Sequence, residues 1–205
     1  MVVVVDYGMG NLGSIQNMLK RIGVESMISS EEKVIDSAQR LIIPGIGAFD
    51  NGMKRLNEFG LIPVLNKKAM QDKIPVLGIC LGMQLMTESS EEGIAKGLSW
   101  LKGKTIKFKF DGENKKLKIP HMGWNTIEIK KTSPLFEDLP EEKRFYFVHS
   151  YHVITEAEPD SLSTTNYGYD FTSMFQYGNL YGVQFHPEKS HKYGMKLLKN
   201  FATMK

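Results

Sequence analysis

The sequence predicts an α/β fold: an open, mostly parallel sheet with helices on both faces and antiparallel strands added to it. Two observations carry this. Short β-branched runs are each followed by a glycine-containing loop and a stretch of helical spacing, the alternation that builds parallel sheets. Past Lys104 the helical spacing fades and short alternating stretches take over, as antiparallel additions to a sheet do.

In the first unit Val2 to Val5 reads as a buried strand and Tyr7 to Asn11 as a turn. Leu12, Ile15, Met18, Leu19 and Ile22 then fall on one helix face, which Gly23 ends. The second unit runs from Leu41-Ile42-Ile43 through Pro44-Gly45-Ile46-Gly47 to a helix carrying Met53 and Leu56. The third runs from Val76 to Ile79 straight into Cys80. Thr105 to Phe110, Thr126 to Ile129 and Phe145 to Val148 read as antiparallel strands. Leu180 to Phe185 then reads as one more strand of the sheet, before a closing helix through Met195, Leu197, Leu198 and Phe201. No linker, repeat or low-complexity tract interrupts this, so residues 1–205 are expected to form a single domain.

Composition narrows the function. Of 205 residues, 41% are hydrophobic and 24% charged, a globular balance. No apolar run approaches the ~20 residues of a membrane span. The N-terminus, Met1 to Asp6, has no basic region and meets a carboxylate where a signal peptide stays apolar, which predicts a cytoplasmic protein. A net charge of +3 is too small to imply nucleic acid. The lysines between Lys102 and Lys118 alternate with Ile106, Phe108 and Phe110, as on a half-exposed strand. A single cysteine excludes disulfides and cysteine-rich zinc sites within the chain, and no metal is expected.

That cysteine, Cys80, is either a small buried hydrophobe or a reactive thiol. Its surroundings favour the second reading. Gly78-Ile79-Cys80-Leu81-Gly82 places it on a sharp strand-to-helix turn, where the residues two positions away on each side must be small for the chain to fold past them. The start of a helix also offers unpaired N–H groups that favour thiolate over thiol. A cysteine nucleophile needs a base and a group to orient it. Gly182-Val183-Gln184-Phe185-His186-Pro187-Glu188 supplies both at the end of a late strand. The His186 imidazole would take and return the proton, and the Glu188 carboxylate would fix its tautomer. His121, His149, His152 and His191 compete for the part of base, but only His186 has a carboxylate this close after a strand end. Strand ends are where open α/β sheets place their sites, so Cys80 and His186 are expected to meet there.

With Cys, His and Glu in this order, the chain resembles the class I, or triad, glutamine amidotransferases. Within that family it is most similar to the glutaminase subunits of imidazole glycerol phosphate synthases. The matching stretches are Asp6 to Leu12, Pro44 to Phe49, Gly78 to Gln84, Pro120 to Asn125, Tyr146 to Tyr151 and Gly182 to Ser190, spread along the whole chain in family order. Departures lie between them, at Gly97 to Gly103 and at His152, where a second aromatic is common.

The resemblance implies a flavodoxin-like sheet and hydrolysis of L-glutamine to glutamate and ammonia through a Cys80 thioester, with no cofactor. It implies an oxyanion hole from Leu81 together with Ile46 or Gly47, and glutamine held by Gly45, Gln84, His149, Ser150 and Tyr151. It also implies a heterodimer with a (β/α)8-barrel cyclase subunit. That partner would use the ammonia to make imidazole glycerol phosphate and aminoimidazole carboxamide ribotide in histidine biosynthesis. Asn11, Met122, Trp124 and Lys189 would lie at or near its interface, although Met122 and Trp124 would be core residues by type alone. Two alternatives remain open at this level: a paralogous glutaminase supplying ammonia for amidino sugars, and a stand-alone cysteine hydrolase.

Overall fold

A computed structural model describes residues 1–156 and 160–204. In chain order the strands are β1 (Val2–Val5), β2 (Ser26–Ser29), β3 (Arg40–Gly45), β4 (Val76–Cys80), β5 (Ser89–Ser90), β6 (Gly103–Lys107) and β7 (His121–Thr126). They continue with β8 (Glu128–Ile129), β9 (Arg144–His149), β10 (Tyr151–Thr155), β11 (Ser161–Asn166), β12 (Asp170–Tyr177) and β13 (Leu180–Val183). The helices are α1 (Leu12–Arg21), α2 (Glu32–Asp36), α3 (Phe49–Glu58), α4 (Ile62–Asn66), α5 (Leu81–Leu85) and α6 (His191–Thr203).

The main sheet has the order β2-β1-β3-β4-β13-β12-β10-β6-β5, and β11 and β8 branch from β12. Neighbours from β2 to β13 are parallel; β13 with β12, β12 with β10 and β10 with β6 are antiparallel. Strands β7 and β9 form a separate antiparallel pair, with His121 opposite His149. The mostly parallel sheet with antiparallel additions is the architecture expected from the sequence.

Alternate residues of each parallel strand feed two cores, because successive side chains point to opposite faces. Val3, Val5, Leu41 and Ile43 pack with Ile35, Leu56, Leu65 and Leu85 from the helices of one face. Val2, Val4, Ile42, Leu77 and Ile79 pack with Ile15, Leu19, Leu197 and Phe201, the apolar stripes of α1 and α6. Gly23, at φ 75°, ends the first helix by turning the chain into the left-handed region, and its N–H bonds back to Lys20 O.

Three expectations are corrected. The strand within the lysine-rich stretch stops at Lys107, and a 3-10 turn occupies Gly112–Lys116. Its buried side carries Thr105 rather than Ile106, while Phe108 leaves the strand to enter an aromatic core. The second glycine turn begins later than expected, since Pro44 and Gly45 still pair with β4.

Candidate active site

Cys80 ends β4 with φ 53° and ψ −108°, a strained backbone for a non-glycine residue. Packing holds it there. A Cβ on Gly82 would overlap the Ile43 carbonyl oxygen, and one on Gly78 would lie 2.6 Å from Gly82 O. The two glycines let the chain reverse against its neighbouring strand, and the thiol emerges at the sheet's carboxyl edge, 7% exposed. Leu81 opens α5, so its N–H has no partner within the helix.

The β3 loop passes directly over this elbow. Gly45 lies opposite Cys80 in the strand register, and a Cβ there would come within 2.8 Å of both Gly82 N and Tyr7 OH. Tyr7 OH donates to Pro44 O at 2.5 Å, and burial, with the charge of Cys80, raises the Tyr7 phenol so that it stays a donor. At the other end of the loop the Glu92 carboxylate accepts the Phe49 N–H at 2.8 Å, capping α3. Between these two anchors lie Ile46, half exposed, and Gly47, at φ 101°.

His186 follows β13 two strands from β3, and its own backbone is tied on both sides. Its N–H bonds to Tyr146 O at 2.9 Å, and Ser190 Oγ donates to its carbonyl at 2.6 Å. The ring Nδ1 sits 2.8 Å from Glu188 Oε1, with side-chain exposures of 2% and 1%. The other ring nitrogen is buried without a closed hydrogen bond, and its neighbour is the Cys80 sulfur. Burial works against a charged ring. The neighbouring Cys80 sulfur and the hydrogen-bonded Glu188 carboxylate, both negatively charged, overcome it and raise His186 from 6.5 to about 10.

Cys80 and His186 open into one pocket of about 440 Å³, also lined by Ile46, Gly47, Leu81, Gln84, His149, Ser150 and Tyr151. The structure therefore gathers the expected nucleophile, base, oxyanion and substrate residues, except Gly45, which lies beneath the loop rather than on the pocket wall. Glu92 and Pro120 line it as well: Pro120 opens one of the stretches that carry the resemblance, whereas the sequence offered no sign of Glu92. Among the described residues no group of three His, Cys, Asp or Glu could hold a metal ion, and no helix is long and apolar enough to cross a membrane.

The competing histidines have other roles. His149 Nδ1 lies 2.8 Å from Tyr151 O, which can only accept, so the ring hydrogen is on Nδ1. His149 Nε2 must then accept from His121 Nδ1 at 3.0 Å. His121 Nε2 in turn accepts from Asn125 Nδ2 at 3.2 Å. Burial lowers His121 to about 4 and His149 well below its usual value, so both rings are neutral. His152 is buried beside Tyr169 OH, and burial lowers it to about 4. His191 begins α6 at φ 46° and stacks on Trp124.

Of the four residues placed at an interface, Met122 is 62% and Trp124 39% exposed, on the same face of β7. Their residue type pointed to the core; the strand turns them outward. Lys189 is exposed, with Nζ 5.7 Å from the Tyr146 ring, next to Trp124. Asn11 is half-buried and accepts from Ser14 Oγ at 3.0 Å, at the start of α1.

The fold and site define an α/β protein with a cysteine on a strained elbow, a carboxylate-paired histidine and a glycine loop gathered at the carboxyl edge of its sheet. Residues 3–204 match the family glutamine amidotransferase class-I. The chain is 54% identical over 201 residues to imidazole glycerol phosphate synthase subunit HisH 2 of Methanococcus maripaludis, covering 98% of both. It is 48% identical to subunit HisH of Sulfurimonas denitrificans, covering 98% of this chain and 97% of that one. It is 44% identical to subunit HisH 2 of Pseudomonas aeruginosa over the full length of both. Among solved structures, a glutamine amidotransferase aligns at TM-score 0.74 and 18% identity, covering 98% of this chain and 97% of that one. A chain of PurLQS from Thermotoga maritima aligns at TM-score 0.70 and 17% identity, covering 98% and 96%. These two show the same fold. The chain belongs to the class I glutamine amidotransferases and, within them, to the HisH subunits of imidazole glycerol phosphate synthase.

Proposed function

We propose that this chain hydrolyses L-glutamine to L-glutamate and ammonia through a thioester on Cys80. The ammonia passes to a (β/α)8-barrel cyclase subunit that makes imidazole glycerol phosphate and aminoimidazole carboxamide ribotide in histidine biosynthesis. The HisH relatives support the pathway. The observation that supports the chemistry is that Cys80 and His186 line one pocket while Glu188, behind the ring, lies 2.8 Å from His186 Nδ1.

The Cys80 thiolate attacks the side-chain amide carbon of glutamine, and negative charge moves to the carbonyl oxygen. The Leu81 N–H and an N–H of Ile46 or Gly47 receive that charge; one such donor typically contributes ~2.7 to 4 kcal/mol to the transition state. Imidazolium His186 gives its proton to the amide nitrogen, the C–N bond breaks, and ammonia leaves. His186, now neutral, takes a proton from water as the water attacks the thioester, releasing glutamate and restoring the thiolate. Glu188 keeps the imidazole oriented and balances its charge throughout.

Ammonia released into neutral water becomes ammonium and ceases to be a nucleophile, so the product needs a covered route to its acceptor. Met122 and Trp124, exposed on β7, and Lys189, exposed one residue past Glu188, would meet the cyclase where it docks, in the cytoplasm.

Glutamate release is measured for the purified chain with and without the cyclase and its ligand, beside Cys80→Ala. Strong partner dependence in the parent and none in the variant are expected; release by Cys80→Ala at the parent rate would refute the mechanism. Growth of a histidine-requiring strain lacking its own HisH tests the acceptor, and failure to restore growth despite good expression would point to another one.

A further inference from the structure

The geometry points to Gln184 as a further catalytic residue, whose side-chain amide donates a hydrogen bond to the Cys80 sulfur and favours the thiolate. The inference rests on Cys80 being the nucleophile, as proposed above. Gln184 is wholly buried, and its Nε2 lies 3.6 Å from Cys80 Sγ. Its backbone N–H bonds to Ser173 O at 2.9 Å, which fixes the chain between β13 and His186.

A glutamine amide has a donor end and an acceptor end, and only the donor end helps a thiolate. Which end meets the sulfur is decided by a chain of hydrogen bonds that begins at a backbone carbonyl. Tyr151 O can only accept. Gln84 approaches it at 3.1 Å, so this end of Gln84 is its nitrogen. The second hydrogen of that nitrogen is directed at Gln184 Oε1, 3.0 Å away. With its oxygen held there, Gln184 must turn its nitrogen to Cys80. His149 Nδ1 also donates to Tyr151 O, so the carbonyl that starts the chain is itself held by two donors.

This N–H differs from the imidazolium in staying a donor throughout the cycle. His186 loses its proton to the leaving ammonia, whereas Gln184 is neutral and keeps both hydrogens. The same N–H faces the sulfur before attack and again when sulfur leaves the thioester on hydrolysis. Hydrogen bonds to a charged group are about twice as strong as neutral ones, which makes this contact one that distinguishes thiolate from thiol.

The test is alkylation of Cys80 by iodoacetamide in the full chain, across pH, with Cys80→Ala as the blank. Gln184→Met keeps the volume and removes the donor. The expected result is a fall of about tenfold in alkylation rate near neutral pH, with the alkaline plateau unchanged. A folded Gln184→Met protein that alkylates at the parent rate near neutral pH would overturn the inference. So would an equal fall at all pH values, which would mean altered access rather than a lost donor. If the Met variant does not fold, Gln184→Glu decides: a carboxylate facing the sulfur should suppress neutral-pH alkylation further, and a parent-like rate would overturn the inference. Glutamate release surviving in Cys80→Ala would instead remove the nucleophile assignment, an outcome these alkylation profiles do not mimic.

Discussion

His186 and Glu188 stand two residues apart on either side of Pro187, their side chains 2.8 Å from each other and almost completely buried. Pro187 opens a 3-10 turn that brings the carboxylate back under the ring, and α6 packs so tightly on that turn that Gly194 leaves no room for a Cβ beside Pro187 O. The pair is therefore set by backbone and not by side-chain choice. Glu188→Gln should keep the fold and lower partner-stimulated glutamate release by about 10³- to 10⁴-fold, as loss of the orienting carboxylate does in other triads. A steady-state assay of kcat with the cyclase present checks this.

The same pair gives stability a pH dependence whose sign is fixed. His186 is raised to about 10 in the folded chain, against 6.5 as its ordinary value. A base whose folded value is raised binds more protons folded than unfolded, so its contribution is complete below about pH 6.5 and is lost as pH climbs towards 10. The parent should lose thermal stability over that alkaline interval, and Glu188→Gln should lose less, because one of the two charges supporting the imidazolium is gone. Parallel melting curves for the two proteins would contradict this.

Gly82 offers a test of the elbow itself. Any side chain there meets the Ile43 carbonyl, which belongs to a central strand and has nowhere to move. Gly82→Ala should lower the free energy of unfolding by about 1 to 3 kcal/mol, the usual cost of overpacking, and abolish alkylation of Cys80 by displacing it. Denaturant titration and thiol labelling on the same sample measure both effects.

How far the sequence was legible varied with the physics of each element. Strands β1, β3 and β4 are buried on both faces, so they are unbroken apolar runs that announce themselves. β12 occupies the middle of the sheet yet was not visible, because its buried side includes Ser173, which pairs with the equally buried Ser163 at 2.9 Å. A cross-strand hydrogen bond satisfied what hydropathy counts as polar. β2 lies at the sheet's edge, half-exposed, and offers no alternation. In the site, Cys80, His186 and Glu188 were legible because their chemistry forces glycines and proline around them. Glu92 was not: it reaches the pocket by capping α3 across 43 residues of sequence. The histidine chain was not either, since its pairing depends on the β7–β9 register.

That chain makes an acid-side prediction. Burial lowers His121 to about 4 and His149 well below its usual value, so the unfolded chain binds more protons than the folded one as pH falls below 6.5. Stability present above pH 6.5 should be lost on the way to pH 4. His121→Phe, which can stack on Phe147 and Tyr167 as the imidazole does, should flatten that loss. At neutral pH it should cost about 1 to 3 kcal/mol, since His149 Nε2 is left without a donor. Thermal melts between pH 4 and pH 7 compare the slopes.

The last prediction concerns the outward face of β7. Met122 and Trp124 project on the side opposite His121, and a lone domain gains nothing from holding them in water. Trp124 is not adrift: it stacks on His191 at 5.5 Å with planes 5° apart, and the Arg144 guanidinium lies 6.0 Å from its ring. An aromatic held rigidly at the surface beside cations has already lost much of its side-chain freedom, so docking costs it less, which is the character of residues that dominate binding energy. Trp124→Ala should weaken cyclase binding by about 30-fold or more, while the isolated chain unfolds within about 1 kcal/mol of the parent. Met122→Ser, with no stacking partner to lose, should weaken binding without moving the melting curve at all. The two readouts separate the roles: if both variants bind the cyclase as the parent does, this face is not the docking surface, and the stacked tryptophan serves only to pin the start of α6.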